Sequence, residues 1–391
     1  MANIQFPFGA WIEPDEQTLL KLYSKTQEFL KKKPWERIND DDTFVVVDPV
    51  SGMNGYCCLY GKENLYTGLQ VFLGDEAFRS FMDIMDNIRY KDEEMEEDIF
   101  EQPSLMPKNF GMDLHCLSLG FTTKDDLTET ELDFMKKNKL TFRSKEWPLF
   151  RIMNPGFIPW EFNEEHADFM ICCLEQVMAV FDVASQDPEL VFNDFYEEGC
   201  VVLTRFPLPG SSPTVWQTKY RKAKAITQDF DLIYRFKPAL LKSLLEKPFQ
   251  QGRRIDFASL ILPVIVQDTI PFRFAQCLIC MDPKKNKPLF SEIVPYQPEY
   301  NQFALNKLLD FLKGLDKKPE AIRIAGITFS DSLIDAMSEA EVHVDWVDQL
   351  PKCQKFADKL LEKFYAQGAA SSPEISTDQR NKPKLKLVKN D

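Results

Sequence analysis

The sequence predicts two domains of different class: an α+β N-terminal domain with an antiparallel meander, then an α/β C-terminal module with a mixed sheet. Three observations lead there. From about Phe257 to Tyr365 the apolar pattern reads strands, then helix, strand, helix, strand, helix, the order of a module with crossover connections. Between Phe44 and Leu73 three short apolar runs alternate with turn residues, as a meander requires. A length of 391 residues exceeds one ordinary core. The expected limits are 1–230 for the first domain, 256–366 for the second and 368–391 for a disordered, small and polar tail.

Residues 17–33 read as a helix. Leu19, Leu20, Tyr23, Thr26, Phe29 and Leu30 make one stripe, Lys31–Lys33 suit the negative end of the helix dipole, and Pro34 stops the run. Strands follow at Phe44–Asp48, Tyr56–Tyr60 and Tyr66–Leu73, separated by Asp48-Pro49, Ser51-Gly52 and Gly61-Lys62. Asp75 can cap the next helix, whose Phe78, Phe81, Met82, Met85 and Ile88 share a face. The acidic run 91–98 reads as an exposed loop.

A strand at Leu114–Thr122 precedes a helix near 129–138, for which Thr128 and Glu131 have capping-box spacing. In 147–161 three prolines limit regular structure, and Pro155-Gly156 marks a turn. Asn163 caps a helix to about Phe181 that is apolar nearly all round, so it is expected at the centre of its domain. Cys200–Pro207 and Thr214–Lys222 read as paired strands. A helix is expected around Pro238–Leu245, and the basic glycine turn Gln251–Arg254 is taken as the domain boundary.

In the C-terminal module, strands are expected at Ala258–Gln267, Phe272–Asp282 and Lys287–Pro295, and a helix carries Phe303, Leu305, Leu308, Leu309 and Leu312 up to Gly314. Ala321–Ile327 is a strand, Ser330 caps a short helix, Glu341–Val347 is the last strand, and Phe356, Leu360 and Phe364 mark the last helix. This order resembles the ribonuclease-H-like fold. That resemblance implies phosphodiester hydrolysis with two divalent metals, which need oxygen ligands and together support the attacking and leaving oxygens.

By position, Asp282 at the end of one strand and Asp331 just after another are the candidate catalytic carboxylates and metal ligands. A third acid is expected from the last helix. Asp358 and Glu362 lie roughly 200° around from the apolar stripe, pointing away from the sheet. The competing reading is structural: Asp282 opens an Asp-Pro turn, and Asp331 sits in a first helical turn.

Composition excludes several function classes. The formal charge of −14 argues against general affinity for a nucleic-acid backbone, though not against a local basic patch. Nine cysteines show no framework spacing, and the adjacent pairs Cys57/Cys58 and Cys172/Cys173 suit buried thiols in a reducing compartment. The N-terminus lacks a signal-peptide pattern, and no run is long enough to span a membrane, so a cytoplasmic location is expected with no membrane partner. Cys277 and Cys280 have CxxC spacing, but on a strand they face opposite sides. The three histidines, His115, His166 and His343, lack metal-site spacing, and no GxGxxG or Walker sequence is present.

The best binding candidates in the first domain are Trp147, Arg151, Phe157 and Trp160, where aromatic rings and a cation on a proline-stiffened segment would form a recognition groove. Packing against the 164–181 helix is the alternative.

The runs GYCCLYGKENLYTGLQVFLGDEAF and WPLFRIMNPGFIPWEFNEEHADFMICCLEQ resemble a bacterial family in which two domains of unknown function follow one another. The likeness covers most of the chain apart from the tail. It implies two modules and a bacterial origin, and carries no catalytic residue with it.

The leading expectation is a binding or regulatory protein for a macromolecular partner, with no cofactor. The alternatives are a ribonuclease-H-like nuclease using a divalent metal such as Mg at Asp282 and Asp331, or a small-molecule sensor with its ligand at the domain junction.

Overall fold

A computed structural model describes residues 11–62, 66–94, 114–195, 199–210, 214–227, 246–267, 271–297, 300–326, 334, 337–347, 349–369 and 385–387. The chain divides into two compact units. One comprises Phe8–Pro155 and Pro159–Phe230; the other takes in Gly156–Ile158 and Asp231–Asp391. Among the described residues no helix is long and apolar enough to cross a membrane.

The N-terminal unit is a mixed α and β structure around an antiparallel meander. Helix α1 (Glu16–Lys32) starts at Asp15, whose carboxylate accepts the Thr18 N–H, and ends at Lys33 in the left-handed region. Strands β1 (Phe44–Val47), β2 (Asn54–Tyr60), β3 (Gly68–Leu73), β4 (Cys116–Thr122) and β5 (Trp147–Met153) pair antiparallel in sequence order. Beyond β1 the sheet continues through β7 (Val201–Pro207), which runs parallel to β1. It then carries the short β6 (Asn193–Asp194) and the edge strand β8 (Trp216–Lys222).

Period-2 alternation sends Cys57, Leu59, Val71 and Leu117 to one face, where they pack with α1 and α4 (Glu164–Gln186). Tyr56, Cys58, Phe72 and Cys116 go to the other face, against Phe78 of α2 (Asp75–Glu94). Helix α3 (Glu129–Lys137) carries the capping box expected of Thr128 and Glu131, and α4 is capped by Asn163. A short helix α5 (Lys224–Thr227) follows β8.

Two expectations for this unit need correction. The segment from Trp147 is a regular strand with alternating burial. Its proline is tolerated because β5 lies at the edge of the sheet, where a missing N–H breaks no ladder on the open side. The acidic run begins as helix, since α2 continues through Lys91 to Glu94. The rest of that run, and the helix expected around Pro238–Leu245, lie outside the described residues.

The C-terminal unit contains a mixed sheet. Strand β9 (Phe249–Val266) pairs antiparallel with β10 (Arg273–Asp282), which pairs antiparallel with β11 (Lys287–Pro295). Helix α6 (Tyr300–Lys313) leads to β12 (Lys318–Ala325), parallel to β9, and β13 (His343–Trp346) lies parallel to β12. Helix α7 (Pro351–Ala369) follows, and within the tail a short strand β14 (Leu385–Leu387) pairs with β9.

The order across this sheet is β11-β10-β9-β12-β13. Leu305, Leu308, Leu309 and Leu312 of α6 cover Ile255, Phe257, Leu278, Ile322 and Ile324 on one face. Burial of each leucine contributes about 1.5–3 kcal/mol. Cys353 and Ala357 of α7 cover Ala258, Cys277, Ile279 and Ala325 on the other. Cys277 and Cys280 therefore do lie on opposite faces.

The glycine turn expected at Gln251–Arg254 is instead part of β9. Gly252, at φ +72°, sits where the β9–β12 register shifts between Pro319 and Ala321. Three residues of β9, Gln251, Gly252 and Arg253, stand opposite Glu320 alone, an irregularity that does not end the strand. Ser330 and Leu333 of the expected short helix lie outside the described residues.

Candidate functional site

A row of charge crosses the α7 face of the C-terminal sheet. Alternation along β9 turns Ile255 and Phe257 toward α6 and leaves Asp256 on the α7 side. On β12, Ile322 and Ile324 likewise face α6, and Arg323 faces α7. The parallel register sets Arg323 beside Asp256 on one flank and beside Asp345 of β13 on the other.

Arg323 Nε and Nη2 donate to the two oxygens of Asp256, each at 2.8 Å. This fork is the strongest geometry available to an Arg–carboxylate pair. Asp256 is buried, its side chain 2% exposed, while the Arg323 side chain keeps 38% of its surface in solvent. The hydrogen bond to Asp256 raises the Arg323 pKa further above its usual value. Cys353 of α7 packs over this face, and burial pushes its thiol up to about 12, so it stays protonated near neutrality. At the outer end of the row, His343 Nε2 lies 2.8 Å from Asp345 Oδ1, both exposed.

A hard cation needs several oxygens with free lone pairs. Asp256, the one buried carboxylate among the described residues, already has both oxygens bonded to a cation. No group of three or more His, Cys, Asp or Glu suited to a metal occurs among the described residues.

The sequence-derived candidates fall elsewhere. Asp282 ends β10, and its Oδ1 accepts the Lys284 and Lys285 N–H groups at 2.9 and 3.1 Å. That is the local turn role open to any Asp before Pro. Because β10 runs against β9, Asp282 lies level with the N-terminal half of β9. Through β9 it is level with Ile322, near the middle of β12. Asp331 lies outside the described residues.

Arg151 is bound bidentately by Glu131 at 2.7 and 3.2 Å, with both side chains largely buried. Phe157 is 2% exposed and meets Tyr296 edge-on within the C-terminal unit. Trp147 and Trp160 are half-buried against the larger core of the N-terminal unit, and Trp147 also stands beside Phe142. The residues missed from the sequence are Asp256 and Arg323. Their signal was a single charge inside each apolar run, IDFASL and AIRIAG. It went unread for Asp256 because the strand was started at Ala258.

Three segments bring cations together beside this row. They are Arg253 and Arg254 at the β9 bulge, Lys284, Lys285 and Lys287 at the β10–β11 turn, and Lys352 in the first turn of α7. The Lys284 ammonium donates to the Gly252 carbonyl at 2.8 Å, and Lys352 donates to the Pro283 carbonyl. All but the half-buried Arg253 are exposed. Asp282 and Glu320, which accepts the Gly252 N–H, offset only part of that charge.

Two family models match in succession: the domain of unknown function DUF7309 over residues 20–202 and the domain of unknown function DUF6930 over residues 240–361. The chain carries two consecutive domains of unknown function. The charged row and its basic rim both lie in the DUF6930 domain, and Trp147, Arg151, Phe157 and Trp160 lie in the stretch matched by DUF7309. No curated protein and no solved structure matches the chain.

Proposed function

We infer that the chain works by binding a macromolecular partner and not by turning over a substrate. The observation that carries this reading is the Arg323–Asp256 fork at the middle of the DUF6930 sheet. The strand order β11-β10-β9-β12-β13, with β10 running against its neighbours, supports a ribonuclease-H-like fold for this domain. In a metal-dependent enzyme of that fold, carboxylates on neighbouring strands hold the cations. Here a guanidinium stands next to the buried carboxylate and supplies the positive charge from within the chain.

The basic rim of Arg253, Arg254, Lys284, Lys285, Lys287 and Lys352 then offers the contact surface, and its sign favours an anionic partner. A photo-crosslinking amino acid in place of Lys285 tests this in cells. The expected result is a discrete crosslinked species that disappears with Arg253→Glu combined with Arg254→Glu. Cleavage of RNA or DNA by the purified chain, dependent on Mg or Mn and abolished by Asp256→Asn, would overturn it.

A further inference from the structure

The chain holds 61 acidic residues, yet none lies between Gly199 and Thr227. That stretch forms β7, β8 and α5, and it contributes Arg205, Lys219, Arg221, Lys222 and Lys224. Lys219, Arg221 and Lys222 are exposed. None of these three, nor Lys224, has an ion-pair partner among the described residues.

Among the described residues β8 pairs only with β7, and no described strand lies along its outer side. The Leu208 N–H bonds to the Val215 carbonyl, and the Ala223 N–H to the Cys200 carbonyl. These fix the bonded pairs of the antiparallel ladder, and every second residue of β8 faces β7. Trp216, Thr218, Tyr220 and Lys222 therefore point their backbone N–H and C=O groups outward.

The edge is held firmly. The Arg221 guanidinium lies 4.0 Å from the centre of the Phe206 ring, and the Lys219 ammonium lies 5.6 Å from it. The Tyr220 hydroxyl donates to the Val191 carbonyl at 2.7 Å.

We propose that the outer edge of β8 receives an extended acidic peptide segment of a partner protein, added as a further strand. Backbone groups on the edge supply the directional bonds, and side-chain pockets or charges supply the choice of partner. The disposition of charge selects the occupant. Lys219 and Arg221 stand on one face of the sheet and Lys222 on the other, so the field converges along the edge between them. An acidic strand in the plane of the sheet places carboxylates on both faces and meets all three cations. A nucleic acid laid on either face meets only some of them. A single lysine is enough to discourage self-association of an edge, whereas here several cations have no ion-pair partner among the described residues. This surface lies wholly in the N-terminal unit and does not depend on the reading of the DUF6930 sheet.

The test uses the full chain and a fluorescein-labelled peptide in which Glu-Asp pairs alternate with Val-Thr pairs. Its anisotropy should rise on titration at low salt. Affinity should fall at least about tenfold with Lys219→Glu combined with Arg221→Glu. The same peptide N-methylated at alternate residues cannot bond to the edge and should also bind at least about tenfold more weakly. This comparison leaves the protein itself unaltered. Equal binding of the N-methylated peptide, equal binding of a single-stranded oligothymidine of matched charge, or no binding of the acidic peptide would each overturn the proposal.

Discussion

Arg323 and Asp256 meet across two parallel strands, and both nitrogens of the guanidinium edge are 2.8 Å from carboxylate oxygens. The pair is lopsided in solvent access, because Asp256 is buried while Arg323 reaches water. Removing Arg323 therefore strands a charge in the sheet, which costs about 3 kcal/mol. Replacing both residues with apolar ones of similar volume removes that penalty. Arg323→Met is expected to lower the urea midpoint strongly, and Asp256→Leu combined with Arg323→Met to restore most of it. A double variant no more stable than the single one would show that the fork itself holds the sheet together.

Glu131 serves two neighbours. Its carboxylate accepts the Thr128 backbone N–H at 2.8 Å in the capping box of α3 and also binds Arg151 of β5. Glu131→Gln keeps an acceptor for the cap but removes the charge facing Arg151. A double-mutant cycle between Glu131→Gln and Arg151→Ala should give a coupling energy of about 1 kcal/mol, since both side chains are shielded from water. Additive effects in chemical denaturation would show that β5 and α3 are held by packing alone.

Features set by neighbours in sequence were legible. The Thr128–Glu131 box and the Asn163 cap are matters of spacing along one turn, and the split of Cys277 from Cys280 follows from strand alternation. Two misreadings came from giving local breakers too much weight. Pro148 was tolerated because of an edge position that no short window reveals. Gly252 proved to be a bulge because β12 supports the strand on both sides of it. The Arg323–Asp256 fork joins residues 67 positions apart, and only the register of the assembled sheet brings them together.

Gly326, just after β12, has φ +74°, and a Cβ placed there would come within 2.1 Å of the Ser259 carbonyl oxygen. Ser259 belongs to the central strand β9, so that oxygen cannot move without disturbing the ladder to β10. Gly326→Ala combines left-handed strain with a backbone clash, and a loss of about 3 kcal/mol or more is expected. Gly74, at φ +90° with nothing near its Cβ, isolates the conformational part. Gly74→Ala should cost about 1 kcal/mol. Thermal unfolding of the two variants should rank them in that order, and equal losses would assign the whole effect to backbone conformation.

His166 closes the capping box of α4 in an unusual way, for its Nδ1 accepts the Asn163 backbone N–H at 3.4 Å while the His166 N–H bonds to the Asn163 side chain. An imidazole that accepts at Nδ1 must be neutral there. Burial, with a smaller contribution from His115, pushes its pKa down to about 4 from an ordinary 6.5. Between those values the unfolded chain binds a proton that the folded chain refuses, so stability falls as the pH drops from about 6.5 toward about 4. The full contribution is present above 6.5 and is on the order of 3 kcal/mol. His166→Gln keeps an acceptor at this position of the box and carries no titrating group. Urea midpoints measured between pH 7 and about 4.5 should therefore fall more steeply for the parent chain than for His166→Gln. Parallel curves would show that other groups govern the acid sensitivity of the N-terminal unit.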